Sequence, residues 1–118
     1  MKNRLLYFLL IALIFSCKTF HELRPFKTDN CSCFPDGTIE DPQKWKTCCI
    51  VHDSAYWKGG TKYERLIADS NLYKCVCEKS DSIIALAMFK AVRIWGSPYL
   101  PFSWRWGYGW RYFRPYKK

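Results

Sequence analysis

Cys48-Cys49-Ile50-Val51-His52-Asp53-Ser54-Ala55-Tyr56 is the stretch whose reading decides the fold. On an α-helix, Cys48, His52 and Tyr56 recur at i, i+4 and i+8 and share one face, while Cys49 and Asp53 share the neighbouring face. One helix thus presents two cysteines beside an imidazole, a carboxylate and a phenol. The spacing predicts a helix over Lys44–Trp57, ended by Gly59-Gly60, a pair that lets the chain leave a helix through a left-handed residue. Thr61 opens a second helix running to about Lys79, and Glu64, three residues on, completes a capping-box pattern. A third helix begins at Ser80 or Asp81 and covers Ser82–Trp95. Ile83, Ile84, Leu86, Ala87, Phe89, Ala91, Val92 and Ile94 make it apolar on most faces.

The Gly59-Gly60 link is short, so the first two helices are expected to run antiparallel. Asp69 and Cys75 lie six residues apart near one face of the second helix. Were Cys48 bridged to Cys75, His52 and Asp69 would stand side by side, about 6 Å and about 9 Å along their helices from the bridge at 1.5 Å per residue. A neutral imidazole with one nitrogen bound to a carboxylate keeps the other free to take a proton, the arrangement general-base catalysis uses. Asp53, about 100° round the helix from His52, is left as a hard oxygen ligand. Calcium takes six to eight oxygens from carboxylates, backbone carbonyls and water, and the irregular loop Cys31–Gly37 could supply carbonyls.

Outward from this centre the chain is less regular. Cys31 to Thr47 keeps no helical or strand period, and Pro35-Asp36-Gly37 and Asp41-Pro42 are turn signals. The tail, 96–118, carries basic residues among ten aromatics counted from Trp95 through Tyr116, with Pro98, Pro101, Gly107, Gly109 and Pro115 opposing a regular helix. Its aromatics can wrap the helices and finish a small core. They can also form a membrane interface, for which Trp104, Trp106, Trp110, Arg105 and Arg111 are the candidates. Both roles are compatible.

At the other end, Lys2 and Arg4 precede an apolar run of eleven residues, Leu5 to Phe15, too short to span a bilayer at roughly 20 residues. Residues 1–16 read as an export signal. Ser16-Cys17 resembles a bacterial lipoprotein box, which implies a lipid on Cys17, with 17–30 as anchor and connector. Setting Cys17 aside leaves six of the seven cysteines, enough for three disulfides in an oxidising compartment. Six cysteines allow fifteen pairings. Removing Lys2 and Arg4 lowers the formal charge from +9 to +7. That charge suits anionic lipid, and no nucleic-acid module is present in the sequence.

Cys48-Cys49-x-x-His52-Asp53-x-x-Tyr56, with Cys31-x-Cys33 sixteen residues before Cys49 and Asp69 six before Cys75, resembles the secreted phospholipase A2 superfamily in its compact bacterial form. The resemblance covers Cys31 to about Cys77. It implies an all-α fold: two antiparallel disulfide-linked helices plus a third, a calcium loop before them, and the irregular aromatic tail, as one monomeric domain over 31–118. That domain divides into loop and catalytic helices at 31–79, the third helix at 80–95 and the tail at 96–118. It further implies His52 as the base, Asp69 and Tyr56 as its support, and Ca²⁺ held by Asp53 and the carbonyls of Ser32, Phe34 and Asp36. Disulfides Cys33–Cys49, Cys48–Cys75 and Cys31–Cys77 follow from the same match. The implied reaction is hydrolysis of the sn-2 ester of a glycerophospholipid at a membrane surface, by a protein exported and lipid-anchored to a bacterial envelope membrane, or secreted if Cys17 is not lipidated. Phe34 and Asp36 stand where the family has glycine, and Asp36 offers an extra carboxylate. Two rival readings are a catalytically inactive module that binds membranes or a partner, and a zinc cluster built from the cysteines and His52.

Overall fold

In a computed structural model, residues 22–118 are described; the expectations for the 1–16 segment and for Cys17 lie outside them. The described chain is all-helical, with α1 at Lys46–Lys58, α2 at Lys62–Lys79 and α3 at Ser82–Trp95. No strand occurs among the described residues, only an isolated parallel bridge between Thr61 and Lys117.

Local chemistry accounts for the ends of the helices. Thr61 accepts from the Glu64 N–H while Glu64 accepts from the Thr61 N–H, so the capping box read from the sequence is formed. The Asp81 carboxylate accepts from the N–H groups of Ile83 and Ile84 and starts α3. Gly59, at φ +66, makes the exit from α1; a Cβ there would lie 2.8 Å from the Cα of Gly107. α2 packs against both other helices.

The last four carbonyls of any α-helix lack partners within it. In α1 the tail supplies most of them. The Ala55 carbonyl accepts from the Gly59 N–H, but Tyr56 and Trp57 accept from Gly107 and Gly109 at 2.6 and 3.0 Å, and Lys58 from the indole of Trp110 at 2.8 Å. The Trp106 indole donates to the Gly60 carbonyl at 3.0 Å, and its ring meets Tyr56 edge-on. These bonds turn Trp106 (3 % exposed) and Arg105 (5 % exposed) inward, which corrects the expectation that both face a membrane. Trp104 and Arg111 remain exposed and Trp110 is half-buried.

The connector is also docked. Arg24 donates its N–H to the Gly109 carbonyl and accepts from the Trp57 indole, while Phe26 packs edge-on against Trp57. Before α1, the buried Trp45 ties down the loop by donating its N–H to the Asp36 carbonyl and its indole N–H to the Pro35 carbonyl.

Cys48–Cys75 joins α1 to α2, as the resemblance implied. The other two pairings are corrected: Cys31 bonds to Cys49, while Cys33 and Cys77 are free. Cys31 is buried, its N–H held by the Asp36 carboxylate and its carbonyl by the Phe34 N–H. Cys33, at φ +60 within this turn, is left exposed. Cys77 follows Cys75 by two positions, about 200° round the helix, and is carried away from the Cys48–Cys75 bridge and its neighbour Cys49.

Thiol trapping and peptide mapping should recover Cys31–Cys49 and Cys48–Cys75 with alkylatable Cys33 and Cys77. Replacing Cys48 and Cys75 by alanine should cost about 2–5 kcal/mol in urea unfolding. The Cys33→Ser change should stay within about 0.5 kcal/mol of wild type.

Candidate functional site

α1 delivers His52, Asp53 and Tyr56, α2 delivers Asp69, and the spacing expectation for these side chains is met where they join. His52 Nε2 lies 2.8 Å from Asp69 Oδ1, and the Tyr56 hydroxyl donates to the same oxygen at 2.8 Å. Asp69 is fully buried at 0 % exposure and His52 is 8 % exposed. An ionised carboxylate can only accept, so Nε2 carries the proton of the neutral ring and Nδ1 carries the lone pair. Nδ1 has no hydrogen-bond partner among the described residues and is not sealed from solvent. The ring is held through Nε2 with Nδ1 left unbonded among the described residues.

Two residues that the sequence reading passed over complete the support. Arg93 of α3 donates to Asp69 Oδ2 at 2.6 Å, and Arg65, one turn before Asp69, places Nε 3.8 Å from the same oxygen. Arg65 also donates to the hydroxyls of Tyr56 (3.1 Å) and Tyr116 (2.5 Å), and to the Val92 and Arg93 carbonyls in the last turn of α3. A cation there also suits the negative end of the helix dipole. The i, i+4 spacing of Arg65 and Asp69 was a usable signal; Arg93 is one of two cations, with Lys90, on an otherwise apolar helix. Gly96 leaves room for Tyr56, since a Cβ on it would lie 2.6 Å from the hydroxyl.

Burial pushes the Asp69 carboxyl upward, and hydrogen bonds from His52, Arg93 and Tyr56 outweigh it, so its pKa lies below the usual value. Asp53 behaves oppositely. Burial raises it to about 6, against a hydrogen bond from Thr28 Oγ1 at 2.6 Å, and the nearby Asp29 adds to the rise. Tyr56 is pushed far above its ordinary value, first by burial and then by the Asp69 charge, and stays a neutral donor.

His52 and Asp53 open on a slot of about 60 Å³, lined also by Ser32, Phe34, Leu72 and Met88. Asp53 and Trp104 belong at once to this slot and to an adjoining cleft of about 620 Å³. Of the residues expected to hold calcium, Asp53, Ser32 and Phe34 thus come together. Asp36 does not line the slot; its carboxylate accepts from Cys31, its carbonyl accepts from Trp45, and it lines a separate apolar cavity with Ile83 and Ile84. Asp29, unassigned by the sequence reading, stands near Asp53 instead and accepts from the Ser32 hydroxyl. No group of three or more His, Cys, Asp or Glu side chains placed to hold a metal ion occurs among the described residues. Carboxylates such as those of Asp53 and Asp29 are the hard oxygen type that calcium takes. The cysteines and His52 do not suit zinc, because four of the cysteines invoked for a cluster are in disulfides.

Comparison with protein-family models, with curated proteins and with solved structures found no match.

Asp69→Asn should destabilise the protein by about 3–5 kcal/mol in urea unfolding, because two arginines lose their buried counter-charge. The Asp53 carboxyl has a folded value of about 6 against an ordinary 3.8. The folded state therefore binds more protons than the unfolded one between these values, and this contribution to stability falls as pH rises from about 4 to about 6. The difference in unfolding free energy between Asp53→Asn and wild type should grow in the variant's favour across that window and level off above it.

Proposed function

We propose that the chain hydrolyses the sn-2 ester of glycerophospholipids, as a calcium-dependent phospholipase A2-type enzyme working at a membrane surface. The observation that carries this reading is the buried His52–Asp69 contact at 2.8 Å, with Nδ1 left free beside Asp53 and a partly apolar slot.

In this mechanism a water in the slot donates a hydrogen bond to His52 Nδ1. As the water oxygen attacks the ester carbonyl, its proton passes to Nδ1 and the ring becomes an imidazolium. Asp69 stabilises that charge through Nε2–H, and Arg93 and Tyr56 keep the carboxylate from swinging away. When the tetrahedral intermediate collapses, the C–O bond to glycerol breaks and the imidazolium returns its proton to the leaving alkoxide. A fatty acid and a lysophospholipid result, with no acyl-enzyme. Asp53 and Asp29, with carbonyls of the 30–34 turn, would hold Ca²⁺. When bound, the ion supplies Lewis-acid stabilisation of the oxyanion.

The surface supports a lipid substrate. Ile83 is 78 % exposed, and Leu86, Ile94 and Trp95 also leave apolar side chains of α3 in solvent. With a net charge of +9, such a face is drawn to anionic bilayers, and a lipid on Cys17 would keep the protein there.

Fatty-acid release from phospholipid vesicles tests the proposal. Wild type should release product with calcium and lose activity with chelator, and His52→Gln should lower kcat by at least 10²-fold, the scale of general-base catalysis. Release that ignores chelator, or persists in His52→Gln, removes the mechanism. A folded wild type that binds vesicles without turnover favours the non-catalytic module.

A further inference from the structure

The described chain buries two arginines, Arg65 and Arg105, and their surroundings differ. Arg65 has the Asp69 carboxylate and two tyrosine hydroxyls. Arg105, 5 % exposed, has no carboxylate within 4.0 Å among the described residues. Its Nη1 donates to the Phe102 carbonyl at 3.1 Å and its Nη2 to the Trp110 carbonyl at 2.7 Å, and its guanidinium lies 5.2 Å from the centre of the Tyr112 ring. Its Nε–H has no acceptor, the one buried side-chain nitrogen or oxygen so left among the described residues.

Arg24 converges on the same point, donating to the Trp110 carbonyl at 2.9 Å. Two guanidinium groups therefore meet at one carbonyl with no acid between them. Burial and the Arg24 charge both press the Arg105 pKa below its ordinary value. A buried cation beside a like charge is costly, and carbonyl dipoles offset only part of that cost. Arg24 also donates to the Tyr108 carbonyl at 3.4 Å, but these tail carbonyls leave the Arg105 Nε–H without an acceptor.

Both arginines line the cleft of about 620 Å³, and so does Lys27. The same cleft reaches Asp53 and Trp104, which it shares with the slot at His52. Its acidic members, Asp29 and Asp53, belong to the expected cation site, leaving the three bases as the anion-receiving part. Guanidinium forks match the tetrahedral oxygens of phosphate, and a dianion matches more than one of them.

We propose that Arg105 and Arg24, assisted by Lys27, form a phosphate-monoester subsite that receives the headgroup of a lipid such as phosphatidic acid while its ester lies at His52. The link to hydrolysis rests on the function proposed above; the phosphate site itself does not.

Three proteins test it: wild type, Arg24→Gln/Lys27→Gln, and Lys62→Gln/Lys90→Gln, which removes the same charge from exposed positions elsewhere. Each is titrated with inorganic phosphate, and with phosphatidylcholine vesicles with and without phosphatidic acid. Wild type and the Lys62/Lys90 variant should bind phosphate and prefer phosphatidic acid at least 10-fold, and the Arg24/Lys27 variant should lose both preferences at unchanged helicity. Equal losses in the two variants would reduce the effect to general charge attraction and overturn the subsite. Binding of inorganic phosphate without preference for phosphatidic acid overturns the lipid source. If the Arg24/Lys27 variant fails to fold, the Arg105 Nε–H resonance of wild type decides: a shift with phosphate but not chloride supports the site, and no shift overturns it. His52→Gln should bind phosphate as wild type does. Binding by both without turnover by wild type sinks the hydrolase reading alone, whereas calcium-dependent turnover without phosphate preference sinks the subsite alone.

Discussion

The Asp69 carboxylate is fully buried, and such a charge is tolerated only when it is bonded on every side. Its bonds come from His52 and Tyr56 of α1 and Arg93 of α3, with Arg65 of its own helix close by, and Arg65 reaches on to Tyr116 in the tail. Three helices and the chain terminus are thereby placed relative to one carboxylate. Two modest apolar clusters flank it in sequence on α2, one reached through Leu72 and Val76, the other through Ala68 with Tyr56 and Trp106. A chain this small buries little apolar surface, so a satisfied polar hub and two disulfides carry an unusual share of its organisation. The same hub orients the imidazole, so the stability of the fold and the geometry of the site have one cause.

The tail shows how an irregular, aromatic segment can be structurally specific. Gly107 and Gly109 bring backbone N–H groups against the carbonyls that α1 cannot satisfy itself, and the Trp106 and Trp110 indoles finish the task at Gly60 and Lys58. Glycine suits Gly107 because φ is +78 there, and it is the Cβ missing from Gly59 that lets the Gly107 backbone approach. The tryptophans act with both halves, an apolar ring against the helices and a donor toward a carbonyl. Exposed apolar surface is left to other residues, among them Ile83, Leu86, Ile94 and Trp95 of α3.

Charge is distributed in two distinct ways within this frame. Around Asp69, opposite charges are matched inside the protein. Around the cleft they are separated, with Asp29 and Asp53 near the slot and Arg24, Lys27 and Arg105 elsewhere on its lining. Matched charges fix a structure, whereas separated ones leave fields that an incoming polar group can satisfy.

The sequence by itself determined the three helices, the capping box at Thr61 and the glycine exit from α1; it placed His52 beside Asp69 only on condition of a Cys48–Cys75 bridge, which the structure supplies. The helices, the cap and the exit depend on periodicity or on a link of a few residues, so local rules suffice. Only the tertiary structure decided that Cys31 rather than Cys33 meets Cys49, that Asp36 turns away from Asp53 while Asp29 approaches it, and that Arg105 and Trp106 point inward. These outcomes rest on left-handed residues in an irregular loop and on hydrogen bonds between distant positions, as between Trp106 and Gly60, 46 apart. Neither follows a sequence period, because the chain path between the partners is settled by which buried donors and acceptors must find one another.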